Sequence, residues 1–127
     1  MIKKLYFTKT HEWVKLDGNI ATIGITDYAQ NELGDIVFLE VTKEAGEHSD
    51  AKEVISTIES VKAVSDIYLP VSGNIIEINQ SVINNPELIN SNPFDEGWIV
   101  KVEPDDANDI GQLLDETAYM KHISEKG

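Results

Sequence analysis

The chain contains no cysteine, and all ten of its basic residues are lysine. Without a thiol it has no disulfide framework, no thiolate metal site and no cysteine nucleophile, so any sulfur chemistry must be brought in from outside. The lysines are outnumbered by 23 Asp and Glu, leaving a formal net charge of −13 at pH 7. A field of that sign repels phosphate backbones and anionic bilayers, so neither nucleic acid nor membrane is an expected partner. No apolar run approaches the roughly 18 residues that span a bilayer, and Met1-Ile2-Lys3-Lys4-Leu5-Tyr6 lacks the apolar stretch of a signal peptide. A bacterial-type cytoplasmic protein is expected, although the same features are compatible with a processed mitochondrial form.

What is present suits one packed domain over residues 1–127, with 41% apolar and 26% charged residues. Short runs of branched and aromatic residues predict strands at 12–16, 20–25, 36–41, 54–59, 64–69, 74–79 and 98–102. Asp17-Gly18-Asn19 predicts a tight hairpin between the first two, since Asp-Gly favours positive φ. Residues 27–34 read as one or two helical turns, with Asp27 as the cap, Gln30 reaching back, and Gly34 closing the C-terminus. Pro70 belongs at a strand end, Asn85-Pro86-Glu87-Leu88 at a turn, and two short helices follow Pro104, the second near Asp115. The core is expected over about 20–103, with a strand region before it and helices after. This is a mainly β barrel or flattened sandwich with short peripheral helices. Asp35-Ile36 and Asp66-Ile67 form a faint internal echo.

Little in the chain supports autonomous catalysis. His11, His48 and His122 are scattered, which disfavours a zinc or iron site. The acids at 103–109 lack the glycine and bidentate Glu of a calcium loop and read as solvated helix-start residues. Phosphate-binding glycine loops and nucleophile elbows are absent. What remains is Glu59-Ser60-Val61-Lys62-Ala63-Val64, which puts Lys62 at the tip of a hairpin between two strands of nearly equal length. Spacing alone does not separate a reactive lysine from an ordinary exposed turn lysine.

The wider pattern resembles the glycine cleavage system H-protein family of the lipoyl/biotinyl carriers. The resemblance runs in order through Thr10-His11-Glu12-Trp13-Val14, residues 21–30, Leu33-Gly34-Asp35-Ile36-Val37-Phe38, Glu59–Asp66 and Pro70-Val71-Ser72-Gly73. It continues through Asn85–Asn90, Glu96-Gly97-Trp98 and Leu113-Leu114-Asp115, nearly the whole chain. It implies a hybrid barrel-sandwich of two pseudo-symmetric halves, which would account for the Asp-Ile echo. It also implies a non-catalytic carrier with lipoate amide-linked to Lys62. Biotin carriers place Met on both sides of the acceptor lysine, whereas Val61 and Ala63 stand here.

By the same resemblance, the lipoyl arm accepts an aminomethyl group from glycine decarboxylase (the P-protein) and presents it to aminomethyltransferase (the T-protein). Dihydrolipoamide dehydrogenase (the L-protein) reoxidises it, and a lipoate ligase or octanoyltransferase attaches it. Glu12 and Asp66, with Thr10 a further candidate, match the positions expected to hold the aminomethyl ammonium in a cleft. The competing readings are an exposed strand acid for Glu12, and for Asp66 a hairpin residue read by the lipoylating enzyme. Glu59, three residues before the acceptor, is expected to serve that recognition. Gly73, 11 residues past Lys62, is expected to serve backbone geometry beside the hairpin. Trp13, Phe38 and Trp98 are expected in the core or a cleft wall. A lipoyl-relay protein serving 2-oxoacid dehydrogenases, or an unmodified interaction module, are the alternative functions.

Overall fold

The computed structural model describes residues 4–125. The segment Met1–Lys3 and the two last residues lie outside that range, so the signal-peptide reading and the outermost ends of the 1–127 unit are not addressed by it.

Among the described residues nine strands form two antiparallel sheets. The larger comprises β1 (Lys4–Phe7), β2 (Glu12–Asp17), β3 (Ile20–Ile25), β5 (His48–Ser49), β8 (Gly73–Ile78) and β9 (Val100–Pro104), in the order β1-β2-β3-β9-β8-β5. The smaller comprises β4 (Ile36–Val41), β6 (Val54–Ser60) and β7 (Val64–Tyr68), with β6 in the middle. Neither sheet closes on itself, so the architecture is an open sandwich of two sheets rather than a closed barrel. The short helices are α1 (Asp27–Leu33), α2 (Gln80–Asn84), α3 (Leu88–Ser91) and α4 (Glu116–Glu125), with a 3-10 turn over Ala107–Gln112. No helix among the described residues is long and apolar enough to cross a membrane.

The β2–β3 hairpin forms where expected. Asp17 pairs with Ile20, leaving a two-residue turn in which Gly18 takes φ 63°, the backbone that makes glycine necessary there. Helix α1 also forms, but its cap is Thr26, whose Oγ1 accepts from the Ala29 amide at 3.2 Å. Asp27 lies one residue inside the helix, where its carboxylate accepts from Gln30 Nε2 at 2.9 Å. Gly34 terminates the helix at φ 78° and donates its amide to Gln30 O. Asp106 accepts from the Asn108 amide at 2.9 Å, so part of the acidic run does cap a helical start.

Pattern reading missed β1, β5, α2 and α3. Five or fewer residues carry too little periodicity, and tertiary pairing decides them: β1 lies along β2, and β5 spans only two residues against β8. The last strand starts at Val100 rather than Trp98, because the Trp98 amide turns back to Asp95 O. The two Asp-Ile echoes fall on β4 and β7, the outer strands of the small sheet.

Alternate residues of both sheets fill the space between them, among them Ile23, Leu39, Ile58, Ile67 and Val100. Each such side chain contributes about 1.5–3 kcal/mol when fully removed from water. Val14 and Ile110 belong to this same cluster, so its reach extends beyond residues 20–103. A second cluster joins Phe7, Trp13 and Tyr119, with the Phe7 and Tyr119 rings stacked at 4.6 Å. Helix α4 thereby covers the outer side of β2, which lets Trp13 and Val14, pointing to opposite faces, both be fully buried. Trp98 is half-buried at the edge of the second cluster. Phe38 departs from expectation: it keeps 48% of its surface exposed, because its register puts it on the outer face of the small sheet.

Candidate functional site

Strands β6 and β7 continue to Glu59↔Val64, and the turn above that pair is held by its own backbone and the Ser60 hydroxyl. The Ser60 amide donates to Ala63 O at 2.8 Å, and Ser60 Oγ accepts from the Ala63 amide at 3.0 Å and the Lys62 amide at 3.3 Å. A further bond, Val61 N to Asp35 O at 3.0 Å, pins the tip to the junction of α1 and β4. Lys62 is exposed there, and no ion pair engages its ammonium among the described residues. Its stem runs past Gly34: a Cβ at that glycine would sit 3.3 Å from Lys62 Cε. Gly34 therefore serves twice, as a helix terminator in a left-handed conformation and as the gap through which the lysine stem passes.

Two clefts have Thr10 in their walls. The nearer, of about 280 Å³, lies between α1 and β7 and is walled by Leu33, Ser65, Ile67, Tyr28, His11 and Thr10 among others. The farther, of about 500 Å³, is walled by Thr8, Lys9, Thr10, Glu12, Lys52, Tyr68, Leu69, Pro70 and Leu113. Thr10 lines both hollows, so they lie on neighbouring sides of one residue.

Glu12 forms the polar floor of the farther cleft. It is 1% exposed, which rules out a solvated strand acid. Thr8 and Thr10 hydroxyls each donate to Glu12 Oε1 at 2.5 Å, and the Tyr68 amide of the opposite sheet donates to Oε2 at 3.3 Å. Burial pushes the Glu12 carboxyl above the usual carboxylate range, against these hydrogen bonds, which act to lower it. Its oxygens are thus satisfied as acceptors while its charge has no cation partner among the described residues. A small cationic group entering the cleft would supply what is missing.

The structure joins Thr10 to Glu12 and separates Asp66 from both. Asp66 is exposed, accepts from Thr57 Oγ1 at 3.2 Å across β6, and contributes to neither cleft wall. Period-two alternation explains this: Ser65 and Ile67 turn inward, so Asp66 turns outward. Glu59 is exposed on that same outer face. Gly73 sits at the start of β8 and outside the left-handed region. Glycine is needed there for closeness rather than for turn geometry, since a Cβ would clash with the Glu103 carbonyl and lie 2.6 Å from Val102 Cγ1.

Sequence reasoning passed over Thr8 and the contacts of His11. His11 takes φ 73°, its Nδ1 lies 2.8 Å from the Tyr119 hydroxyl, and that hydroxyl lies 2.7 Å from Thr26 Oγ1. The His11 and His122 rings approach to 5.8 Å. Partners 108 and 111 positions apart leave no local signal. Among the described residues no cluster of three or more His, Cys, Asp or Glu is arranged to hold a metal.

The glycine cleavage H-protein family model matches residues 5–126. The chain belongs to the glycine cleavage H-protein family. The glycine cleavage system H protein of Alkalilimnicola ehrlichii is 50% identical over 123 residues, covering 96% of this chain and 94% of that protein. The one from Bacteroides fragilis is 50% identical over 118 residues, covering 93% of each. The crystal structure of a glycine cleavage system H protein from Mycobacterium marinum superposes with a TM-score of 0.84 at 32% identity, covering 100% of this chain and 99% of that one. As an H-protein, the chain is a carrier and not a catalyst, from a family that carries lipoate and works with the glycine cleavage enzymes.

Proposed function

We propose that the chain, acting as one unit in the cytoplasm, carries lipoate in amide linkage on Lys62. The observation that supports this most strongly is the exposed Lys62 amine, in no ion pair among the described residues, on a hairpin pinned by backbone bonds. Acylation would remove its charge without breaking any interaction the fold uses. The group would supply the disulfide that the cysteine-free chain lacks, accepting an aminomethyl unit at glycine decarboxylase, yielding it at aminomethyltransferase and being reoxidised by dihydrolipoamide dehydrogenase.

The remaining work belongs to the chain. Lys62 tethers the cargo at high local concentration for three partner sites. Gly34 leaves room for the stem to lie toward the nearer cleft. The Thr10 side chain marks the way from that cleft to Glu12. Ionised Glu12 would pair with an ammonium group carried into the cleft, and its removal from water would strengthen the pair. A protonated amine has no lone pair with which to expel a neighbouring thiolate, so Glu12 would protect such a cargo from hydrolysis. Asp66, on the outer face, is assigned to partner recognition together with Glu59, and Gly73 to the packing of β8 on β9.

The direct test is intact mass and peptide mapping after expression with lipoate. The expected result is one lipoyl adduct on Lys62, absent from Lys62→Arg. A wild-type protein without adduct, or full glycine-cleavage activity of Lys62→Arg, would refute the reading. Transfer of the lipoyl group from this chain to a 2-oxoacid dehydrogenase carrier would point instead to a relay role.

A further inference from the structure

Helices α1 and α4 leave between them a hollow of about 340 Å³ that none of the roles above uses. Phe7, Phe94 and Tyr119 give it an aromatic lining, and Asp27, Glu116 and Met120 are its exposed members. The rings are fixed by their own packing. Phe7 stacks on Tyr119 at 4.6 Å, Phe94 meets Phe7 edge to face at 6.4 Å, and the Tyr119 hydroxyl is held between His11 and Thr26. Met120 keeps 54% of its surface in water, an unbranched apolar side chain able to mould itself to a partner. Both acids lie in the first turn of a helix, where the helix dipole favours negative charge. That role would not bring them from two helices to one aromatic hollow, and it leaves their charges uncompensated. Asp27 accepts from the neutral amides of Gln30 and Asn31, at 2.9 and 3.3 Å, and no ion pair among the described residues engages either acid. The lining contains no Lys, Arg or His.

We propose that this hollow seats an arginine side chain projecting from one of the glycine cleavage enzymes. The guanidinium meets the Asp27 and Glu116 carboxylates while its plane and stem cover Phe94 and Met120. Arginine suits the place better than lysine, because a planar, weakly hydrated guanidinium stacks on a ring and donates to carboxylates at the same time. Charge selects a basic partner: two carboxylates face the hollow and no base does. A second copy of this chain is a poor occupant, since it has no arginine and would bring 23 acids against ten lysines. Position selects an enzyme that works near the Lys62 turn. Tyr28 lines both this hollow and the nearer cleft, so a partner seated here stands beside that cleft with α1 as the shared wall. The inference concerns contact between folded surfaces and does not depend on Lys62 being acylated.

The test measures binding of the full chain to glycine decarboxylase, aminomethyltransferase and dihydrolipoamide dehydrogenase in turn, by calorimetry at fixed ionic strength. Asp27→Asn/Glu116→Gln is expected to raise the Kd for at least one of them about tenfold, and Met120→Ser to raise the Kd for the same enzyme about threefold. All three side chains are exposed, so thermal unfolding of the variants should stay within a few degrees of wild type and exclude misfolding as the cause. Glu77→Gln/Glu103→Gln removes the same charge from β8 and β9, toward the opposite edge of the large sheet from β1, and should leave each Kd within about twofold. Equal weakening in that control would show that net charge alone matters and would overturn the docking site. So would an unchanged Kd for all three enzymes in the hollow variants. The Met120 methyl NMR signal, titrated with N-acetylarginine methylamide, reports a free cation. Saturable binding of that probe with no change in any enzyme's Kd would leave a site for small organic cations and overturn the assignment to a partner enzyme.

Discussion

At the hairpin tip Lys62 stands exposed, held by no ion pair among the described residues, on a turn fixed by backbone bonds and by the Ser60 hydroxyl. At the floor of the farther cleft Glu12 is 1% exposed and receives three hydrogen bonds, two from the preceding loop and one from β7. The tip is built so that a side chain can be changed without consequence for the fold. The cleft is built so that a charge is kept satisfied as an acceptor yet uncompensated. A carrier needs both: an attachment point that costs nothing to modify, and a separate, partly dry place that favours one protonation state of what is attached.

The largest effect expected from breaking this division is at the tip. Lys62→Arg keeps the charge and removes the acylable amine, so lipoyl occupancy measured by intact mass should fall from full to none, while stability stays within about 0.5 kcal/mol of wild type. The buried strand pair next to Glu12 should show the reverse pattern. Trp13 lies over Gly24, where a Cβ would come 2.7 Å from the indole, and its Nε1 donates to Pro93 O at 2.8 Å. Gly24→Ala should therefore cost about 1–3 kcal/mol in denaturant unfolding, whereas Val61→Ala, at the exposed tip, should cost no more than about 0.5 kcal/mol.

A pH series sharpens the same contrast. Because burial raises the Glu12 pKa in the folded state, its contribution to stability is fully present below the ordinary carboxylate pKa and is lost as pH rises through the raised value. Unfolding midpoints of wild type should fall relative to those of Glu12→Gln across that window and should converge with them at lower pH. Equal pH dependence in the two proteins would show that Glu12 carries no such penalty. The smallest effect expected is on partner docking by the −13 chain. Raising ionic strength from about 0.05 to about 0.5 M should weaken association with the glycine cleavage enzymes several-fold, as surface charge is screened, and association indifferent to salt would contradict the electrostatic part of the account.

The tip was legible in the sequence because it is local. Two alternating strands of similar length around Lys62 define a hairpin by themselves, and Asp17-Gly18 and Gly34 mark a turn and a helix end through backbone conformation. The cleft was only half legible. Glu12 and Thr10 are two residues apart and were singled out together, but the burial of Glu12 depends on Tyr68 from the other sheet and Thr8 from the preceding loop. Asp66 went astray for a related reason. Proximity to Lys62 in sequence does not say which face of β7 it occupies, and register against Thr57 decides that. Gly73 was recognised as a backbone requirement, but the close approach of β9 that causes it is a long-range contact.

The central claim is that Glu12 is a buried carboxylate awaiting a cation delivered from Lys62. The most direct test is a carbon-13 NMR titration of the Glu12 carboxyl in the lipoylated chain before and after loading with the aminomethyl group. The account predicts a pKa above the ordinary carboxylate value in the unloaded protein and a clear fall on loading, as the ammonium stabilises the ionised form. A Glu12 pKa that does not move on loading would contradict it.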